Sequence, residues 1–187
     1  MNVGLVLMAS GAGSRFGANK LLAQIEGRTV AERTMDAYPP ALFERAVVVS
    51  RYSEVLDMGA ARGYLTAANP LADEGISASI RIGVERMAGM DGILFAVCDQ
   101  PWLTAGSVEK VLAAFEASPE RIAALGWRGE KGNPCLFPAA FFKELSLLSG
   151  DRGGGAVIRA HPEALLLVEA EFELELKDVD CPTDLGL

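Results

Sequence analysis

Short, continuous apolar runs alternate along the chain with longer stretches in which apolar residues return every three or four positions. Val3–Met8 (VGLVLM), Ala46–Ser50 (AVVVS) and Gly92–Val97 (GILFAV) have the unbroken apolar character of strands buried on both faces. Tyr64–Ala67, Ile122–Leu125 and Cys135–Phe137 read as shorter strands. Helices are predicted over Thr29–Ala37, Ser53–Ala61, Ile76–Met87, Thr104–Ala117, Ala139–Leu148 and Gly154–Ala160. Ile76, Ile80, Val84 and Met87 share roughly one helix face. Thr104 stands where an N-cap is wanted, ahead of Val108, Val111, Leu112 and Phe115 on one face. Ala164–Val168 and Phe172–Leu176 predict a hairpin or two terminal strands.

Strands alternating with helices predict a mainly parallel sheet covered on both faces. Right-handed crossovers make this a doubly wound, Rossmann-like α/β fold, a three-layer α/β/α sandwich. With no repeat, linker or low-complexity tract, residues 1–187 are expected to form a single domain. Ligands in such folds sit beyond the carboxyl ends of the strands, so the residues that follow each strand are the candidates for chemistry.

Composition narrows the choice. Half the residues are hydrophobic and 22% are charged, a globular mixture. No apolar run approaches the roughly 20 residues that cross a bilayer, and Val3–Met8 is too short for a signal peptide. A cytoplasmic protein without a membrane partner is expected. The formal net charge of −8 repels a phosphate backbone and argues against nucleic acid. Cys98, Cys135 and Cys181 lack zinc or CxxC spacing, and His161 is the only histidine. A Ser-His-Asp hydrolase and a His-based metal site are therefore poorly supported.

The first strand runs into Ala9-Ser10-Gly11-Ala12-Gly13-Ser14-Arg15-Phe16-Gly17-Ala18-Asn19-Lys20. Small residues let backbone N–H groups converge on an anion, and Arg15 and Lys20 add a planar fork and a point charge. The P-loop pattern fails because Ala18 and Asn19 separate Gly17 from Lys20, and GxGxxG fits only as far as Gly13. By itself the segment is a triphosphate loop or a tight turn. Asp99 follows the Gly92–Val97 strand in Asp99-Gln100-Pro101. It is either a carboxylate facing the ligand crevice or the cap of a turn begun at Pro101. Asp178-Val179-Asp180-Cys181-Pro182-Thr183-Asp184 is an acidic cluster or a solvated turn.

Taken together these segments resemble the nucleotidyltransferases with the nucleotide-diphospho-sugar transferase fold, and within them the MobA/MocA-like molybdenum cofactor nucleotidyltransferases. The loop is similar to LxAGxGxRFGxxK, Asp99-Gln100-Pro101 to the MocA-like metal motif, and residues 178–184 to DIDTPxD, with Cys181 in place of threonine. Asn69-Pro70 with Glu74–Ile80 resembles NPxxxxGxxxSL. Gly132–Phe137 resembles GxPxxF, with Asn133 where histidine is usual. Gly150–Gly155 resembles GDxGxR without its final arginine.

The resemblance implies Mg²⁺-dependent (Mn²⁺ being the alternative) transfer of a nucleotide from CTP, or from GTP, to a molybdopterin-type acceptor. The cytidylyl branch is favoured by Asp99-Gln100-Pro101 and the Asn133-Pro134 segment. It also implies roles. Arg15 and Lys20 grip the triphosphate and serve catalysis. Ala9, Ser10, Gly11, Ala12, Gly13, Gly75 and Ser77 bind the nucleotide. Asp99 and Asp180 hold the metal, while Asp178 and Asp184 shape or cap their segment. Gln100, Pro101, Asn133, Pro134 and Asp151 lie on the acceptor side. Two further readings stand beside this one: a sugar- or polyol-phosphate nucleotidyltransferase, and a carrier that delivers molybdenum cofactor to an apo-molybdenum hydroxylase.

Overall fold

A computed structural model of the chain describes residues 1–11, 16 and 19–186. In chain order its elements are β1 (Val3–Met8), β2 (Gln24–Ile25), β3 (Arg28–Thr29), α1 (Val30–Asp36), β4 (Arg45–Ser50), α2 (Ser53–Ala61), β5 (Leu65–Ala68) and α3 (Ile76–Arg86). There follow β6 (Gly92–Val97), α4 (Ala105–Ala117), β7 (Ile122–Trp127), β8 (Glu130–Pro138), α5 (Phe142–Ser146), α6 (Gly155–Ala160) and β9 (Leu165–Glu169). β2 and β3 form a small separate ribbon.

The main sheet has seven strands in the order β5-β4-β1-β6-β8-β7-β9. Only β8 runs against the rest, pairing antiparallel with both β6 and β7. Its direction follows from its connection. Arg128 and Gly129, at φ 51° and 86°, turn the chain within two residues. That turn joins antiparallel strands but leaves no room for a helical crossover. The β8 strand is consequently much longer than the predicted Cys135–Phe137 segment, because the hairpin draws Glu130 and Lys131 into register with Trp127 and Gly126.

Alternation along the central strand divides the interior. Leu5 and Leu7 pack beneath α1, α2 and α4 with Met35, Val55, Val111 and Phe115. Val6 faces the other way, into a layer with Ile80, Leu145, Val157 and Ile158 from α3, α5 and α6. Each fully buried side chain of this size contributes about 1.5–3 kcal/mol. The buried face of α3 is lined with small residues, Ser77, Ala78, Ser79 and Gly83, besides Ile80. A Cβ on Gly83 would stand 2.6 Å from Val6 Cγ1, so the helix lies close on the sheet.

Phe172–Leu176 is not a strand. Its alternating apolar and acidic residues form a 3₁₀ turn over Glu173–Leu176 that buries Glu175. Polar donors from the start of α4 draw that carboxylate inward, which period-two patterning does not register. Among the described residues no helix is long and apolar enough to cross a membrane.

Candidate active site

From β1 the parallel neighbours are β4 on one side and β6 on the other. The connections leave in opposite directions and open a crevice at the carboxyl ends of β1 and β6. A cleft of about 590 Å³ occupies that position. Its walls are the tail of β1 (Met8 to Gly11), the tail of β6 (Cys98 and Asp99) and the start of α3 (Gly75, Ile76 and Ser79). Lys20, Asp151 and Asp180 also line it. Ladder bonds continue past the strands: Ala9 N donates to Val49 O (2.8 Å), holding the β1 tail to β4, and Cys98 N donates to Met8 O (3.0 Å), holding the β6 tail to β1.

The loop entering the cleft is tied down by side chains. Ser50 Oγ donates to Ala9 O at 2.8 Å, and Tyr52 Oη to Gly11 O at 3.0 Å. Asn69, buried behind the cleft, donates through Nδ2 to Ser10 Oγ (3.2 Å) and to Ser79 Oγ (3.0 Å). Accepting from Asn69 leaves Ser79 its own O–H to donate. At the head of α3, Gly75 has φ 98°, and a Cβ there would meet Asp151 Oδ1 at 2.5 Å and the Gly150 carbonyl at 2.6 Å. This glycine is required twice over, by its backbone and by the close approach of the 150–151 loop.

On the cleft floor, Lys20 Nζ lies 2.6 Å from Asp99 Oδ2 and 3.3 Å from Asp180 Oδ1. Burial alone would lower the pKa of the ammonium, but the two carboxylates outweigh it and hold it above its ordinary value. Asp99 Oδ1 is buried and has no hydrogen-bond partner among the described residues. Asp178 stands behind the pair. Burial first, then the Asp99 charge, pushes its carboxyl up to about 6 against the hydrogen bond from Gln100. Asp184 accepts from the Asp180 and Cys181 amides at 2.9 Å each, so it caps the segment.

The donor set suits a hard cation. Among the described residues no three or more His, Cys, Asp or Glu side chains gather into a metal cage. Mg²⁺ and Mn²⁺ do not need one, because they take one or two carboxylates and complete their shell with phosphate oxygens and water. Asp99, whose Oδ1 has no hydrogen-bond partner among the described residues, and Asp180 both line the cleft and fit that demand.

Of the residues singled out by sequence, Ala9, Ser10, Gly11, Lys20, Gly75, Asp99, Asp151 and Asp180 all line the cleft. Ala12, Gly13 and Arg15 lie outside the described residues. Five residues are elsewhere. Ser77 is buried and accepts from Arg81 Nη1 at 3.1 Å, and Ser79, one turn on from Ile76, takes the cleft-facing position instead. Gln100 is 1% exposed and donates to Leu176 O and Asp178 Oδ1, so its amide nitrogen is engaged with residues 176–178. Pro101 is buried beside it. Asn133 and Pro134, joined by a cis peptide, stand next to the Phe95↔Cys135 pair toward the carboxyl end of β6, but outside the cleft lining. Sequence reasoning missed Ser79 and Ile76 as cleft residues. Their three-residue spacing says that they share a helix face, but not that this face borders the cleft.

Comparison with known proteins identifies the family and the fold. The family model for the MobA-like NTP transferase domain matches residues 5–165. The purine catabolism protein PucB of Bacillus subtilis is 27% identical over 192 residues, covering 96% of this chain and 92% of that protein. The phosphoenolpyruvate guanylyltransferase of Sphaerobacter thermophilus is 30% identical over 188 residues, covering 94% and 86%. A solved nucleotidyl transferase from Methanothermobacter thermautotroptrophicus superposes with a TM-score of 0.81 at 28% identity, over 98% of this chain and 94% of that one.

Proposed function

The chain belongs to the MobA-like NTP transferase family and is a nucleotidyltransferase; we propose that it transfers a cytidylyl group from CTP to the terminal phosphate of a molybdopterin-type acceptor, with Mg²⁺. The observation that carries this reading is the convergence of Asp99, Lys20 and Asp180 on the floor of the β1–β6 crevice. Asp99 and Asp180 would hold the cation, whose contribution is to neutralise the charge that grows on departing pyrophosphate.

The chain's own groups do the rest. Lys20 offers the triphosphate an ammonium kept charged by its two carboxylates. The Ala9–Gly11 backbone, braced by Ser50 and Tyr52, forms one wall for the phosphates. Ser79, oriented by Asn69, donates to the nucleotide from the head of α3. A phosphate acceptor is already ionised at neutral pH, so in-line attack at the α-phosphorus requires no general base. Positioning and charge neutralisation then supply most of the rate.

The test is pyrophosphate release by purified protein under anaerobic conditions, with Mg²⁺, molybdenum cofactor, and CTP or GTP in parallel. CTP-specific release that disappears in Asp99→Ala is the expected result. Release with GTP alone would transfer the protein to the guanylyl branch. That second reading is favoured by the 30% identity to an enzyme named for guanylyl transfer to phosphoenolpyruvate, and phosphoenolpyruvate is therefore included as a second acceptor.

A further inference from the structure

Residues 171–180 cross from the end of β9 to the cleft floor as a strap, and the loop after β6 fastens it in three places. Glu175 is fully buried. Its Oε1 accepts from Thr104 N at 3.2 Å and Thr104 Oγ1 at 2.6 Å; its Oε2 accepts from Ser107 Oγ at 2.9 Å and Glu171 N at 2.7 Å. Next along the strap, Gln100 Nε2 donates to Leu176 O at 3.2 Å and to Asp178 Oδ1 at 2.9 Å. Then Val179 N donates to Asp99 O at 2.9 Å. The following residue is Asp180, whose carboxylate meets Lys20.

Asp99, Gln100 and Thr104 thus belong to one short loop, and that loop grips the strap that delivers the second carboxylate. Apolar anchors serve stability at least as well as a buried charge does. What directional hydrogen bonds supply in addition is register along the strap. We propose that Gln100 and Glu175 are positioning residues that hold Asp180 opposite Asp99, so that the affinity of the nucleotide complex for a divalent cation depends on them although neither lines the cleft. This rests on the metal role of Asp99 and Asp180 proposed above.

The experiment titrates Mn²⁺ into protein with CTP, and separately with GTP, following free Mn²⁺ by electron paramagnetic resonance. Wild type is compared with Gln100→Leu, Glu175→Gln, Asp180→Ala and the two doubles carrying Asp180→Ala, with thermal unfolding of each. Mn²⁺ affinity is expected to fall about 10–100-fold in either clamp variant, the usual effect of removing a group that orients a ligand. In the Asp180→Ala background the same changes should add less than about twofold, because the interaction they serve is gone. Wild-type affinity in the clamp variants, or an equal loss with and without Asp180, overturns the proposal. If Glu175→Gln does not fold, Thr104→Ala and Ser107→Ala remove its hydroxyl donors singly and carry the same expectation. Wild-type affinity in Asp180→Ala overturns the metal assignment itself, an outcome distinct from a clamp that fails while Asp180 matters.

Discussion

The Lys20 ammonium sits 2.6 Å from Asp99 Oδ2, with both side chains less than one-fifth exposed. The pair joins the end of the segment that follows β1 to the end of β6. Lys20→Met removes the cation and leaves Asp99 facing Asp180 without its counter-charge. We expect kcat to fall about 10²–10³-fold, as for loss of one preorganised electrostatic group. Stability should fall by about 1–3 kcal/mol, the scale of a lost hydrogen bond to a charged group. Pyrophosphate-release kinetics and urea unfolding measure the two separately. A large stability loss with normal kcat in the folded fraction would reduce Lys20 to a strut.

Asn69 connects two serines from different elements, and the residue is 2% exposed. Asn69→Ala leaves Ser10 and Ser79 without the donor that orients them, and leaves the Leu71 amide without the Asn69 Oδ1 acceptor. The expected consequence is a rise in the nucleotide KM larger than the fall in kcat, with about 1–3 kcal/mol of stability lost. Unchanged KM for both CTP and GTP would show that Ser79 does not meet the nucleotide.

Two glycines of α3 and its cap separate packing from function. Gly83→Ala drives a Cβ to 2.6 Å from Val6 Cγ1, inside the core and away from the cleft. It should destabilise by about 1–3 kcal/mol while leaving the nucleotide KM unchanged in the folded protein. Gly75→Ala meets Asp151 and Gly150 on the cleft wall and imposes a side chain at φ 98°. It should cost a comparable amount of stability and also raise KM. Steady-state kinetics beside thermal unfolding distinguish the two, and equal KM effects would refute the assignment of the cleft wall.

The sheet was legible wherever burial on both faces left an unbroken apolar run: β6 spans Gly92–Val97 as the pattern predicts. β8 was not, because Glu130 and Lys131 are exposed and owe their strand conformation to a turn through Arg128, a residue that rarely takes φ of 51°. The site was legible where a residue follows a strand directly, as Ala9, Ser10 and Asp99 do. It was not legible for Gln100. A polar side chain beside an aspartate at a strand's carboxyl end suits a ligand contact as well as a clamp, and only the position of residues 176–178 decides between them. Ser77 and Ser79 posed the same difficulty: both are buried on α3, and residue type alone does not say which of the two borders the cleft.

Glu175 makes acid stability a test of the strap. Burial acts to raise its pKa, but hydrogen bonds from Thr104, Ser107 and the Glu171 amide outweigh it and hold the carboxyl below its ordinary 4.5. Unfolding releases those donors, so the unfolded chain binds the proton more readily. A depressed folded pKa contributes stability that is fully present above the unfolded value and is lost as pH falls through the folded one. In urea unfolding, the gap between wild type and Glu175→Gln should therefore stay constant from pH 7 down to about 5, then narrow below pH 4.5. A gap that persists unchanged to the lowest pH at which both fold would mean that shape, not the charge on Glu175, holds the strap. The clamp would then need a neutral explanation built on Gln100 alone.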